Sequence, residues 1–260
     1  MMDISVELST FNNIKYFDEP HKYYIDGEEM NSVTRVIGLF KQEFDSGYWS
    51  EKKAKERDIT KEEILAEWKY KSDYSCEKGT LFHEYAENYL NNKIFPYNGS
   101  DKTKKLLGDG EEKIKKDFLK LKEMFHKFYD DSYGKLIPIK SEVIVGDASI
   151  KICGMVDQLF WNNKVNELQI WDWKTNKEIK RNNRWQKFKE PISHLDVCEF
   201  NTYSLQLSLY KYLIERNTQL KLGDSYIVWF NEKNETYEPI KCRDYREEAE
   251  SLIKEFNKVT

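Results

Sequence analysis

The segment Q-I-W-D-W-K-T, residues 169–175, is a run of β-forming residues interrupted by one acid and one base. Ile170, Trp171 and Trp173 give it the composition of a buried strand. Side chains two apart on a strand share a face. Asp172 and Lys174 are therefore expected together on one side, with Trp171 and Trp173 packed on the other. On an edge strand with one wet face, such a pair would be a surface ion pair contributing about 0–1 kcal/mol. In a pocket, it would instead set a ligating carboxylate beside a working ammonium. The neighbouring segments distinguish the two readings.

From Lys135 the chain keeps a period of two. L-I-P-I-K-S-E-V-I-V (136–145), I-K-I-C-G-M-V-D-Q-L-F-W (150–161) and E-L-Q-I-W-D-W-K-T (167–175) are separated by turn-forming G-D-A-S and N-N-K-V-N. This predicts three consecutive antiparallel strands. Asp157, in G-M-V-D, then falls within one cross-strand step of Asp172, and Glu142 lies on the strand before. Of the aspartates, only Asp172 is followed two positions later by a lysine. Converging carboxylates repel one another, and a hard divalent cation such as Mg²⁺ or Mn²⁺ relieves that cost. Such an ion suits phosphodiester hydrolysis, with Lys174 orienting or deprotonating the attacking water and offsetting developing charge.

Helical signals flank these strands. Thr60 and Glu63 form a capping box, and a second helix is expected to start near Thr80, with His83, Glu87 and Leu90 on one face. A helix over 110–131 carries the core stripe Ile114, Phe118, Leu121, Phe125 and Phe128. One over 199–216 carries Leu205, Leu209 and Leu213, with Gln206 and Tyr210 beside them. A hairpin over 225–242 and a C-terminal helix follow. Towards the N-terminus, alternating aromatic and polar residues with Asp26-Gly27 predict a hairpin, with short strands near 14–18 and 22–31. Ser32 or Thr34 is placed to cap a short helix after it.

With 39% apolar residues and 17 Tyr, 14 Phe and 7 Trp, the chain has the means to build a sizeable core. No apolar run is long enough to span a membrane, and the start lacks the pattern of a secretory signal, so an intracellular, cytoplasmic protein is expected. The four cysteines are widely spaced and form no C-x-x-C pair. A net charge of −4 argues against a general polyanion binder, yet residues 175–190 hold six Lys or Arg against two Glu. They lie in a polar connection, 176–198, long enough to suggest function. Arg181, Arg184, Lys187 and Lys189 alternate there with Trp185 and Phe188, a pattern suited to backbone neutralisation and base stacking on a single strand. H-E-Y-A-E, from His83, also approaches the zinc-protease pattern, but Glu87 stands where the second histidine belongs.

The joint order of these motifs resembles the RecB-type branch of the PD-(D/E)XK nucleases. The matching residues are His83 in G-T-L-F-H, Glu142 in S-E-V-I-V, Asp157 in G-M-V-D, Asp172 and Lys174 in D-W-K-T, and Gln206 with Tyr210 in Q-L-S-L-Y. The opening H-K-Y-Y-I-D-G, followed by N-S-V-T-R-V-I, is also similar to phage-encoded members and to the mitochondrial genome maintenance exonucleases. The resemblance implies an α/β (α+β) restriction-endonuclease-like core, a mixed central sheet flanked by helices, with an N-terminal β-hairpin and helical elaboration. A single nuclease domain is expected over 1–260, with the elaboration in 1–75 and the core in 76–260.

The resemblance also implies a DNA nuclease dependent on Mg²⁺ or Mn²⁺. His83, Asp157 and Asp172 would be metal ligands, the Trp173 carbonyl a further one, Lys174 the catalytic lysine and Glu142 a support to the metal site. Gln206 and Tyr210 would position the lysine or the nucleic-acid backbone. Some relatives hold an iron–sulfur cluster through one upstream cysteine and a C-terminal trio. Cys76 is upstream here but no clustered trio follows, so no iron–sulfur cluster is expected. No base-reading helix is evident, which favours an exonuclease on single-stranded DNA ends in replication, recombination or repair, with replication or recombination proteins as candidate partners. The alternatives are a structure-specific endonuclease and a catalytically silent DNA-binding or assembly factor.

Overall fold

The computed structural model describes residues 3–17, 19, 21–95 and 110–259. Its elements are α1 (Ile4–Leu8), β1 (Ile14–Phe17), β2 (Lys22–Ile25), β3 (Glu28–Ser32), α2 (Val33–Leu39), α3 (Ser46–Arg57), α4 (Lys61–Leu90) and α5 (Gly110–Ser132). There follow β4 (Leu136–Asp147), β5 (Ile152–Asn162), β6 (Glu167–Lys174), α6 (Glu199–Asn217), β7 (Leu222–Trp229), β8 (Glu238–Lys241) and α7 (Arg246–Val259).

Among the described residues one eight-stranded sheet runs in the order β1-β2-β3-β5-β6-β7-β8, with β4 on the other edge of β5. The β4–β5–β6 meander is antiparallel throughout, as the period of two predicts. β6 then pairs with β7 in parallel, and β3 meets the start of β5 in parallel, so the sheet is mixed. The free edge of β5 is shared: β3 takes Ile152 and Cys153, β6 takes Gln158 to Asn162, and the span between is open. Asp157 lies at that opening.

Helices cover the sheet on two sides, each with its own apolar cluster. One joins Ile170, Ile227, Leu205, Leu209, Leu213 and the α2 and α7 stripes. The other joins Trp171 and Trp173 with Phe82 of α4 and the whole α5 stripe of Ile114, Phe118, Leu121, Phe125 and Phe128. Trp173 is 1% exposed and its ring meets Phe125, Phe128 and Phe230 edge-on. Trp171 and Trp173 are thus core, and Asp172 and Lys174, which alternate with them, face the other way.

Three expectations are corrected. The segment 22–31 is two strands, because Asp26 and Gly27 both take positive φ and fold it into a tight turn. The end of the first expected strand, Asp18, lies outside the described residues. The helices expected from Thr60 and from Thr80 are one, α4, whose capping box opens a 30-residue helix. Gly79 does not break it, since the flanking Tyr74, Leu81 and Phe82 are buried; tertiary packing outweighs the roughly 1 kcal/mol glycine penalty. Finally, the connection 176–198 is not all polar surface. Phe188, Ile192 and Leu195 are 2%, 1% and 6% exposed and anchor it to the core. Phe188 is therefore unavailable for base stacking. Ser32 caps α2 through the Arg35 N–H.

Candidate metal centre and its basic flank

The site forms where β5 and β6 part. The last paired residues are Gln158 and Trp171, so Asp157 and Asp172 come next, opposite each other. Backbone pairing gives way there to a side-chain bond: the Trp173 N–H donates to Asp157 Oδ2 at 2.8 Å. On the other edge of β5, Ser141 and Val143 pair with Gln158 and Val156, which sets Glu142 opposite Asp157. Glu142 has φ of +47°, a left-handed conformation costing about 1–2 kcal/mol for a residue with a Cβ. Such strain persists where surrounding structure imposes it, and here it accompanies the convergence on Asp157.

α4 supplies the imidazole. His83 Nδ1 lies 3.4 Å from Asp157 Oδ2, and Nε2 lies 3.0 Å from the Trp173 carbonyl oxygen. Ligand atoms of His83, Glu142 and Asp157 all fall within 4.8 Å of one another. Asp172 stands outside this set. Its carboxylate is 1% exposed and turns to Lys174, whose Nζ is 2.5 Å from Oδ2; neither Asp172 oxygen makes a hydrogen bond of regular geometry. Its charge is thus compensated mainly by the ammonium, with a smaller contribution from His83.

The electrostatics match this crowding. Burial, reinforced by the Asp157 carboxylate, pushes Glu142 up to about 8. Burial and Asp157 push Asp172 up to about 6, although Lys174 pulls the other way. Burial disfavours the His83 cation, yet the Asp157 carboxylate outweighs it and lifts the imidazole to about 9. Burial likewise opposes ionisation of Asp157, and His83 and the Trp173 N–H hold it below the usual carboxylate range. Lys174 is desolvated, but Asp172 and Asp157 raise it above an ordinary lysine.

His83 and Asp157 stabilise each other, but an ionised Glu142 is disfavoured by burial and by Asp157, a cost a bound cation would relieve, and two carboxylates with one imidazole fit a divalent ion of the Mg²⁺ or Mn²⁺ kind. His83, Glu142 and Asp157 would hold it. The Trp173 carbonyl is at the rim of the set, through His83.

Gln206 donates to the Tyr210 hydroxyl at 2.9 Å, so these two residues pair with each other. The Tyr210 ring is buried against Gly154, where a Cβ would come within 2.4 Å of its Cε1; the glycine of G-M-V-D is there to admit that ring. A residue absent from the sequence reading is Tyr203, over whose ring Lys174 Nζ lies 4.6 Å from the centroid. Its signal was its place on α6, three before Gln206 and seven before Tyr210, on the same helical face.

In the basic connection, Arg184 is exposed and Trp185 is 92% exposed. Arg181 stacks 5.2 Å from the Phe200 centroid and approaches Glu238 at 3.8 Å. Lys187 pairs with Asp196 at 3.3 Å, and Lys189 is spent on the Leu39 carbonyl. The segment thus offers an Arg–Trp tip on an apolar anchor. No helix among the described residues is long and apolar enough to cross a membrane.

A family model described as the PD-(D/E)XK nuclease superfamily matches residues 60–259. Among solved structures, a protein described as "Putative exonuclease" from Eubacterium rectale is similar at 13% identity and a TM-score of 0.39, covering 70% of this chain and 64% of that one. This chain thus spans less than two thirds of that protein. A structure described as SSO0001 is similar at 12% identity and a TM-score of 0.31, covering 76% of this chain and 87% of that one. Likenesses this distant carry no argument about chemistry. A search of curated proteins found no match.

Proposed function

Because the chain belongs to the PD-(D/E)XK nuclease superfamily, we propose that it is a divalent-metal-dependent deoxyribonuclease of the RecB type, an exonuclease acting on single-stranded DNA ends. The observation that carries this reading is the convergence of His83, Glu142 and Asp157 within 4.8 Å, beside the buried Asp172–Lys174 pair.

In hydrolysis, water adds across one P–O bond and the leaving oxygen takes a proton. A bound Mg²⁺ or Mn²⁺ would supply positive charge to the scissile phosphate and lower the pKa of water. Asp157 and Glu142 supply anionic oxygens, and Asp157 also orients His83. Asp172 keeps Lys174 charged and in place. An ammonium raised above its ordinary pKa is a hydrogen-bond donor at neutral pH, so Lys174 orients water and offsets charge on the phosphate rather than accepting a proton. Gln206 and Tyr210 shape the wall behind β5. The three N-terminal strands continue the same sheet as β5, which supports reading residues 1–260 as one nuclease domain.

The test uses end-labelled linear and circular single-stranded DNA with Mg²⁺, Mn²⁺ or EDTA. Linear DNA should shorten from an end with either metal, and circular DNA should survive. Cutting of circles would turn the reading to an endonuclease, and intact linear DNA in both metals would overturn the enzyme.

The exposed tip of the basic connection supports contact with a single strand. Arg184→Ala combined with Trp185→Ala is expected to remove one phosphate contact and one stacked base. That weakens binding by about 1–3 kcal/mol and flattens the slope of log K against log salt by about 0.7. Fluorescence titrations between about 50 and 200 mM salt measure both; an unchanged slope would place the strand elsewhere.

A further inference from the structure

Lys174 carries its charge on a flexible four-carbon stem, so an ion pair with Asp172 does not by itself confine the ammonium to one position. The second constraint is the Tyr203 ring, whose centroid lies 4.6 Å from Nζ. That ring is itself fixed at its far end. Its hydroxyl donates to Asn176 Oδ1 at 2.8 Å, and the Asn176 carbonyl accepts from Trp229 Nε1 at 2.7 Å and from Asn231 Nδ2 at 3.0 Å. The Phe230 N–H closes the frame by donating to the Lys174 carbonyl at 2.8 Å. The ends of β6 and β7 and the first turns of α6 therefore hold one aromatic face over one ammonium.

We propose that Tyr203 is a positioning residue for phosphodiester hydrolysis, its ring face holding the Lys174 ammonium beside Asp172 at the edge of the His83–Glu142–Asp157 cluster. The inference rests on the reading of Lys174 as the working cation of a nuclease. The ring supplies a directional attraction for a cation that an aliphatic side chain of similar bulk lacks. A Tyr203 that only filled space would be replaced equally well by leucine.

Three variants decide it. Tyr203→Leu keeps bulk and loses the ring; kcat should fall about tenfold with KM for DNA within about twofold. Tyr203→Phe keeps the ring and loses only the Asn176 anchor, so kcat should stay within about threefold of the parent. Lys174→Ala serves as reference, and DNA affinity in EDTA and thermal midpoints are measured alongside. A readout independent of turnover is the NMR shift of the Lys174 εCH₂ protons, assigned by their loss in Lys174→Ala. The ring current should displace them in the parent and in Tyr203→Phe, and the displacement should vanish in Tyr203→Leu.

If Lys174→Ala is inactive while Tyr203→Leu retains full kcat, the positioning role is wrong and the nuclease reading stands. If Leu and Phe lower kcat and thermal midpoint alike, Tyr203 is packing only. If Lys174→Ala cleaves like the parent, the reading of the site fails and takes this inference with it.

Discussion

Lys174→Ala is expected to cut DNA about 10²- to 10⁴-fold more slowly than the parent, the range for loss of a positioned proton-handling or charge-stabilising group. Its binding to DNA in Ca²⁺ or EDTA should change little, because the Lys174 side chain is 14% exposed and its ammonium is engaged with Asp172 rather than with the surface. Removing one partner of a buried ion pair ordinarily destabilises a protein by 3–5 kcal/mol. Here the loss should be smaller, about 1–2 kcal/mol, because Asp172 already titrates near 6 and can take up a proton in place of its lost partner. Single-turnover cleavage, filter binding and urea melts on the same preparation separate the three effects. Parental cleavage by a folded Lys174→Ala would remove the ammonium from the chemistry.

Glu142→Gln should have opposite effects on stability and on metal binding. In the folded protein Glu142 titrates at about 8, against 4.5 for an unperturbed group, so the folded state binds this proton more tightly than the unfolded one. Stability in EDTA must then be greatest below about pH 4.5 as far as this group is concerned, and must fall as pH rises towards 8. At 1.4 kcal/mol per pH unit the ceiling is about 5 kcal/mol. Solvent at a partly open site reduces this to about 2–3 kcal/mol. The glutamine variant, neutral and of the same shape, should lose that slope and melt higher than the parent at pH 8 without metal. It should also lose most of the stabilisation that millimolar Mn²⁺ confers on the parent, since ligand binding stabilises only through the folded state. Urea melts from pH 5 to 8, with and without Mn²⁺, read both. Equal slopes for parent and variant would show Glu142 to be an ordinary surface acid.

Much of this was legible along the chain. The period of two over 136–174 defined the antiparallel meander, and from it the register that sets Glu142 and Asp172 on either side of Asp157 followed by counting. The stripe of α5 and the burial of Trp171 and Trp173 followed from helical and strand spacing. What escaped was set by contacts between distant segments. Gly79 reads as a helix boundary until its neighbours are seen to be buried, and Phe188 reads as a stacking ring until Ile192 and Leu195 join it in the core.

The alternation of side chains on β6 alone determined that Asp172 and Lys174 share a face and the tryptophans oppose them. Period-two spacing is a property of the extended backbone and needs no partner. Which carboxylates converge with the histidine, and which one serves the lysine instead, was decided only in three dimensions. The parting of β5 from β6, the left-handed turn of Glu142 and the approach of α4 rotate His83, Glu142 and Asp157 together while leaving Asp172 to Lys174. Distances of a few ångströms between charges depend on how elements pack, and no local spacing encodes them.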